Sequence, residues 1–155
     1  MNVYENLEKL GIKLLEPTEK AGIYKRTIGF GDKLVYVSGT GPACSLGPTK
    51  LGKLGRDLTL EDGQEEARRC MINILSNLHE EIGDLNRIKR FVKMLAFIAS
   101  DDDFTQQPLV ANGASALIRD VFGDDVGVPT RSAIGVNVLP GNIPVEIELL
   151  LELKD

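Results

Sequence analysis

Charged side chains near the C-terminal end of the chain, above all Arg131 and Glu146, are the strongest candidates for chemistry. They lie in two segments, 131–138 and 145–153, in which apolar residues alternate with polar or small ones. This alternation is typical of half-buried strands, because successive side chains of a strand point to opposite faces. One face of each strand is therefore apolar, and polar chemistry is expected on the other.

The residues Pro140-Gly141-Asn142-Ile143 separate these strands and have the composition of a turn. A tight turn predicts a hairpin in which Leu139 faces Pro144. The register that follows sets Val136 against Ile147, Ile134 against Leu149, and Arg131 against Glu152. Ile134, Val136, Val138, Val145, Ile147 and Leu149 then form an apolar face for helices to cover. The opposite face carries Arg131, Asn137, Glu146, Glu148 and Glu152.

This hairpin places Arg131 far from Glu146. Roughly six residues along the strands separate them, or about 20 Å at ~3.3 Å per residue. No side chain spans that distance. If Arg131 and Glu146 serve one site, they must come from different copies of the chain, which predicts an oligomer.

The rest of the sequence predicts an α/β (α+β) fold of order ββαβαββ after a short N-terminal helix. Apolar spacing indicates helices, alternation indicates strands, and Gly and Pro mark the loops. Two helices with one apolar stripe each are expected to cover one face of a mixed sheet, which leaves the other face free for a partner. The predicted elements are helix 3–10, strands 23–30 and 33–38, loop 41–60, helix 61–82, strand 87–99, and a second helix through Phe122 entered by Ser100-Asp101-Asp102-Asp103.

Composition limits the classes of function. The 155 residues fit a single domain, 1–155, and a net charge of −5 without tryptophan argues against nucleic-acid binding. The N-terminal segment lacks a long apolar run, so we expect a cytoplasmic protein without a membrane span. Two cysteines, Cys44 and Cys70, are too few for a disulfide framework or a zinc site, and no metal or organic cofactor is expected.

Several short segments together resemble the RidA/YjgF family, also called the endoribonuclease L-PSP family. They are Val37-Ser38-Gly39-Thr40-Gly41-Pro42, Arg131-Ser132-Ala133, Leu139-Pro140 and Val145-Glu146-Ile147-Glu148. The resemblance implies a chorismate-mutase-like fold assembled as a homotrimer, with ligand clefts between subunits. The N-terminal helix, the extended loop and Asn112-Gly113-Ala114-Ser115 indicate a longer subgroup of the family.

The resemblance also implies an activity and a site. Archetypal members hydrolyse 2-imino or enamino acids, which are released by pyridoxal-phosphate enzymes, to 2-oxo acids and ammonia without a cofactor. Arg131 matches the arginine that binds the substrate carboxylate, and Glu146 matches the glutamate beside the attacking water. Backbone N–H groups near Ser38-Gly39 are candidates for holding a developing charge. The cleft-lining positions are matched by Tyr24, Ser38, Gly39, Asn112 and Ala133.

The sequence departs from the archetype in ways that leave alternatives open. Ala133 stands where many members have cysteine, Thr40-Gly41 replaces a polar and an apolar residue, and the loop 41–60 is long. One alternative is a non-catalytic trimeric module that binds small carboxylates, and a less favoured one is an endoribonuclease or translation inhibitor. From the residues alone, an ion pair with Glu152 is the favoured explanation of Arg131, and the motif around it reverses that preference. Glu146 is equally explained by a solvated strand carboxylate.

Overall fold

The computed structural model describes residues 2–16, 20 and 22–154. Its helices and strands follow the predicted order, with one short helix added before the fourth strand. Two 3₁₀ turns, Leu85–Arg87 and Pro140–Asn142, complete the elements. The elements are α1 (Val3–Lys9), β1 (Thr27–Phe30), β2 (Leu34–Thr40), α2 (Leu60–Ile82), β3 (Ile88–Ala99), α3 (Gln107–Phe122), α4 (Asp124–Gly127), β4 (Thr130–Val136) and β5 (Val145–Leu153).

The five strands form one mixed sheet in the order β1-β2-β5-β3-β4. β3 and β4 are parallel, and the other neighbouring pairs are antiparallel. Met94 and Ile147 lie on the face covered by the helices and are fully buried, whereas Ile28, Tyr36 and Ile134 on the opposite face are 39–51% exposed. The predicted α/β arrangement, with two helices on one face and an uncovered second face, is confirmed.

The long helix α2 is close to its predicted range because the sequence marks both of its ends. Thr59 and Asp62 form a reciprocal capping box at its start, and Gly83, at φ +78°, ends it. Its apolar stripe, including Cys70, is buried against the sheet and α3. Cys70 is therefore a core residue.

The start of α3 differs from the prediction. The helix begins at Gln107, with Pro108 in its first turn, and Asp101–Asp103 lie in the preceding irregular segment. The acidic run is therefore not a helix N-terminus. Proline is favoured in the first turn of a helix, because the N–H that it lacks would have no helical partner there. Pro108 therefore indicates the start of α3 better than the acidic run does. The four-residue helix α4 follows α3 in a segment for which the sequence predicted no helix or strand.

The predicted C-terminal hairpin is wrong, because β3 lies between β4 and β5. Ala99, at the end of β3, pairs with Val136 on one side and donates its N–H to the carbonyl of Pro144 on the other, at 2.9 Å. Alternation assigns side chains to faces but does not identify the neighbouring strand. Glu152 accordingly forms ion pairs with Lys89 and Arg90 on β3, not with Arg131.

The predicted long loop 41–60 is confirmed, and buried side chains attach it to α2 and β3. Leu54 is fully buried, and its N–H donates to the carbonyl of Ala99 at 2.9 Å. The guanidinium of Arg69 donates to the carbonyls of Pro48 and Gly47 and pairs with the buried carboxylate of Glu66 at 3.2 Å. The loop is thus packed against the fold along much of its length.

Close packing of α2 against α3 depends on Gly113. A Cβ at this position would overlap the carbonyl of Gln64, which is backbone of α2 and cannot rotate away. We expect Gly113→Ala to lower the free energy of unfolding by about 2–3 kcal/mol, measured by urea denaturation. Gly29→Ala is the control, since its Cβ would lie 3.8 Å from the nearest atom, the carbonyl oxygen of Leu34. Equal stability of the two variants would contradict this account of the helix contact.

Candidate active site

Arg131 extends from β4 toward α3, where three acceptors hold its guanidinium. Its Nη1 donates to Oδ1 of Asn112 and to Oγ of Ser115, both at 2.9 Å, and its Nη2 donates to the carbonyl of Pro108 at 3.1 Å. Met94, its pairing partner on β3, is buried under the helices, which places Arg131 on the same face of the sheet. The guanidinium is therefore oriented by α3 and not by another strand.

The charge of Arg131 is not neutralised within the part of the chain that the structure describes. No carboxylate there forms an ion pair with it, and its three bonds go to neutral oxygens. A guanidinium has five N–H donors, so the Nε–H and one Nη2–H are left for a ligand. Arg131 also lines an open cleft with Asn112 and Ser115. Such a group can bind a carboxylate in a fixed orientation.

Ala133 lies two residues further along β4, on the same face as Arg131, opposite Ala96 of β3. It is partly buried and packs against the hydrophobic core. Its methyl group cannot supply the thiol found at this position in many archetypal family members. The structure thus brings Arg131 and Asn112 to one cleft, which we call the arginine half-site, whereas Ala133 lies further along β4 and does not line that cleft.

Glu146 lies in a different cleft of about 320 Å³, together with the predicted residues Tyr24, Ser38 and Gly39. The carboxylate lies directly against Gly39, where an added Cβ would overlap its Oε1. Gly39 occurs where the pairing of β2 with β5 shifts register, between Val37 and Thr40. A glycine is thus needed to make room for the carboxylate. We call this group the glutamate half-site.

The carboxylate of Glu146 is unusual in having no partner. It makes no hydrogen bond or ion pair with any residue in the described ranges, although it is half-buried. Burial raises its pKa, and the nearby negative charge of Glu148 raises it further. A glutamate in this environment is a stronger base when ionised and is suited to taking a proton from water.

Ser38 does not offer its main-chain donor to a ligand. Its N–H and its hydroxyl both donate to the carbonyl of Arg26, at 2.9 and 3.1 Å. The expectation that backbone N–H groups near Ser38-Gly39 hold a charge is thus wrong for Ser38. Tyr24 is 43% exposed and lines the cleft, so it is not a packed strand residue.

The two half-sites of one chain are separate. Arg131 lies beside Met94 of β3, and Glu146 lies beside Phe97 of the same strand. Met94 and Phe97 are separated by an odd number of residue steps along β3. The two side chains therefore extend from opposite faces of the sheet, and their Cα atoms are roughly 14 Å apart from strand geometry. The prediction that both lie on one face is wrong, since it rested on the hairpin. One chain still cannot bring both groups to one ligand.

Comparison with known proteins agrees with this fold. The family model described as endoribonuclease L-PSP matches residues 16–152. The chain belongs to the endoribonuclease L-PSP (RidA/YjgF) family. A curated relative, Protein TCP17 of Trypanosoma cruzi, is 42% identical over 153 residues, which cover 99% of this chain and 95% of the relative.

Solved structures of the family superpose closely. The protein Atu1372 of Agrobacterium tumefaciens, of unknown function, is 36% identical with a TM-score of 0.86, covering 97% of this chain and 91% of that one. A protein of Shewanella oneidensis MR-1 is 25% identical with a TM-score of 0.92, covering 99% and 100%. Within the described residues, this family member has no helix long and apolar enough to cross a membrane, and no group of three or more potential ligand side chains placed to hold a metal.

Several polar residues of this L-PSP family protein were missed in the sequence. Ser115 lies three residues after Asn112 on α3, a spacing that places both on one helix face, and both bind Arg131. Asn73 and Asn77, four residues apart on α2, line the glutamate cleft. In the sequence, the signal that could have identified these residues was a pair of polar side chains at helical spacing within an apolar stripe.

The raised pKa of Glu146 predicts a trade-off between function and stability. A group with a higher pKa in the folded state destabilises the fold above that pKa, and the cost disappears as the pH falls below the ordinary value of 4.5. We expect Glu146→Gln to be more stable than wild type at pH 7.5, by about 1 kcal/mol or less because the group is half-exposed. The two proteins should converge near pH 4 in urea denaturation. A variant less stable at both pH values would contradict this expectation.

Proposed function

We propose that this L-PSP family protein hydrolyses small 2-imino and enamino acids to 2-oxo acids and ammonia. Two features of the described residues support the proposal. Arg131 has an oriented guanidinium with free donors and no acidic partner. Glu146 has a half-buried carboxylate with a raised pKa and no partner. The unpartnered carboxylate beside Gly39 carries the argument, because a merely structural glutamate would be paired or solvated.

The active site is formed between copies of the chain in a homotrimer, with Arg131 from one copy and Glu146 from another. Opposite orientation of the two groups on one sheet supports this arrangement. The uncovered sheet face also supports it, since it presents exposed apolar side chains that a second copy would bury. They are Ile28, Tyr36 and Ile134.

The reaction needs one water and no redox change. Arg131 holds the substrate carboxylate through two N–H···O bonds, which leaves C2 facing the glutamate half-site. The enamino acid enters as its 2-imino tautomer. Glu146 takes a proton from water as the oxygen forms a bond to C2 and gives that proton to the imine nitrogen, which yields a carbinolamine. Glu146 then takes the proton of the carbinolamine hydroxyl and transfers it to the nitrogen as the C–N bond breaks, so that ammonia leaves and the 2-oxo acid remains.

The proposal is tested by generating 2-aminoacrylate with an amino-acid dehydratase and following its conversion to pyruvate. We expect wild-type protein to accelerate the conversion and Arg131→Ala to lose at least about 100-fold of that acceleration, because the carboxylate is no longer held. Arg119→Ala is the control. Arg119 lines the same open cleft, but it pairs with Asp120 and does not bind Arg131.

The outcomes separate the alternatives. No acceleration by wild type, with 2-oxo acids bound in calorimetry and lost in Arg131→Ala, would replace hydrolysis by a carboxylate-binding function. Full activity in Arg131→Ala would remove the proposed role of this arginine. Cleavage of RNA that survives further purification and disappears in Arg131→Ala would support the endoribonuclease alternative.

A further inference from the structure

Arg26 supplies a second guanidinium, in the glutamate cleft. It lines the cleft with Glu146 and Tyr24, and it is partly buried. Its carbonyl accepts the two hydrogen bonds of Ser38, so its backbone position is fixed. Its guanidinium, however, makes no hydrogen bond or ion pair with any residue in the described ranges.

The acidic residues of the cleft do not neutralise this charge. Glu16 and Glu146 both line the cleft, and neither forms an ion pair with Arg26. The pKa of Glu146 is raised by burial and by Glu148, as expected for a carboxylate that no cation approaches closely. No ion pair with a carboxylate in the described ranges neutralises the guanidinium, so its positive charge is available to an anionic ligand.

Asn77 is the second observation that points to a polar ligand. It lines the same cleft, it is only 8% exposed, and its amide forms no hydrogen bond within the part of the chain that is described. Its neighbours on α2 are bonded. The amide of Asn73 donates to the carbonyls of Gly41 and Ala43, both at 2.9 Å, and the hydroxyl of Ser76 donates to the carbonyl of Ile72 at 2.8 Å. A nearly buried amide that lines a cleft and has no protein partner keeps its hydrogen-bonding groups available to a ligand or to water in that cleft.

We infer that Arg26 and Asn77 form a subsite for a second carboxylate of the substrate. The guanidinium and the amide NH₂ supply N–H donors of the kind that bind carboxylate oxygens. The inference rests on the proposed function and narrows its substrate class. The preferred substrates are imines and enamines of dicarboxylic 2-oxo acids, held by Arg131 at the 1-carboxylate and by Arg26 at the distal one.

Binding of matched 2-oxo acids tests the subsite without requiring turnover. Isothermal calorimetry compares each dicarboxylate with the monocarboxylate of equal chain length: 2-oxosuccinate with 2-oxobutanoate, 2-oxoglutarate with 2-oxopentanoate, and 2-oxoadipate with 2-oxohexanoate. We expect wild type to bind the dicarboxylate of at least one pair roughly 10-fold or more tightly than its monocarboxylate. Arg26→Gln removes this preference and leaves monocarboxylate affinity within about twofold.

The control variant is Arg56→Gln, which removes an exposed arginine paired with Asp57 outside the cleft. It should keep the preference. Equal affinity within all three pairs in wild type, or an unchanged preference in Arg26→Gln, overturns the subsite while monocarboxylate binding that depends on Arg131 still supports the proposed function. Failure of every 2-oxo acid to bind overturns both.

Discussion

Glu146→Gln is expected to reduce turnover by at least about 100-fold while 2-oxo acid binding is retained within a few fold. Glutamine has nearly the same shape and still fits against Gly39, but its amide cannot take a proton from water. The half-buried carboxylate has no partner among the described residues, so its replacement breaks no bond within the fold. Steady-state rates in the dehydratase-coupled assay and calorimetry with pyruvate measure the two quantities.

Glu148→Gln is the matched control for this prediction. Glu148 lies on the same strand and the same face, and it accepts a hydrogen bond from the hydroxyl of Tyr36 at 2.7 Å. Glutamine can keep that bond, so turnover should fall little. Similar losses in both variants, or retained turnover in Glu146→Gln, would contradict the assignment of Glu146 as the base.

The direction in which activity changes with pH can also be predicted, for wild type and for Glu148→Gln. Activity requires ionised Glu146, so it falls as the pH is lowered through a pKa that burial and Glu148 have raised. Removing the charge of Glu148 removes one of those two causes. The acid limb of the wild-type kcat/KM profile is therefore expected to move to lower pH in Glu148→Gln. A shift to higher pH, or none, would mean that a different group titrates.

The sequence was most informative where local signals determine structure. The ends of α2 follow from the capping box at Thr59 and from Gly83, and the faces of β5 follow from its alternation. The strand that lies beside β5 could not be predicted from the sequence. The short connection between β4 and β5 is compatible with a hairpin, and also with a chain that passes the end of β3. That choice depends on contacts of β3 with both strands, which no local pattern contains.

For the candidate site, the sequence predicted the main residues but not the contacts that position them. Arg131, Glu146 and the cleft residues were identified from motifs, and the structure gathers them into two half-sites. Their supports were not identified, since Ser115 and the carbonyl of Pro108 bind Arg131 only through the packing of α3 beside β4. Arg26 and Asn77 were missed for the same reason. Each is distant in sequence from Glu146, and only the fold brings them to its cleft.

The separation of the half-sites makes subunit mixing the most informative experiment. Arg131→Ala and Glu146→Gln are each expected to be inactive. A mixed oligomer of the two, however, contains interfaces where the intact Arg131 of one copy meets the intact Glu146 of another. Every trimer that holds both variants, in either ratio, has one such interface among its three, so the mixed trimers should recover roughly a third of wild-type activity. The comparison uses co-expressed, differently tagged chains isolated through both tags, and native mass spectrometry reports the composition of the oligomers.

A second mixture of variants is the control for this experiment. Mixing Arg131→Ala with the double variant Arg131→Ala/Glu146→Gln leaves no intact arginine in any copy, so no activity should return. If verified mixed oligomers of the two single variants stay inactive, the site does not combine these residues across copies. Because β3 and the thickness of the sheet separate Arg131 from Glu146 within one chain, that result would also exclude their joint action on one substrate. Recovery of activity would show that a second copy completes the site.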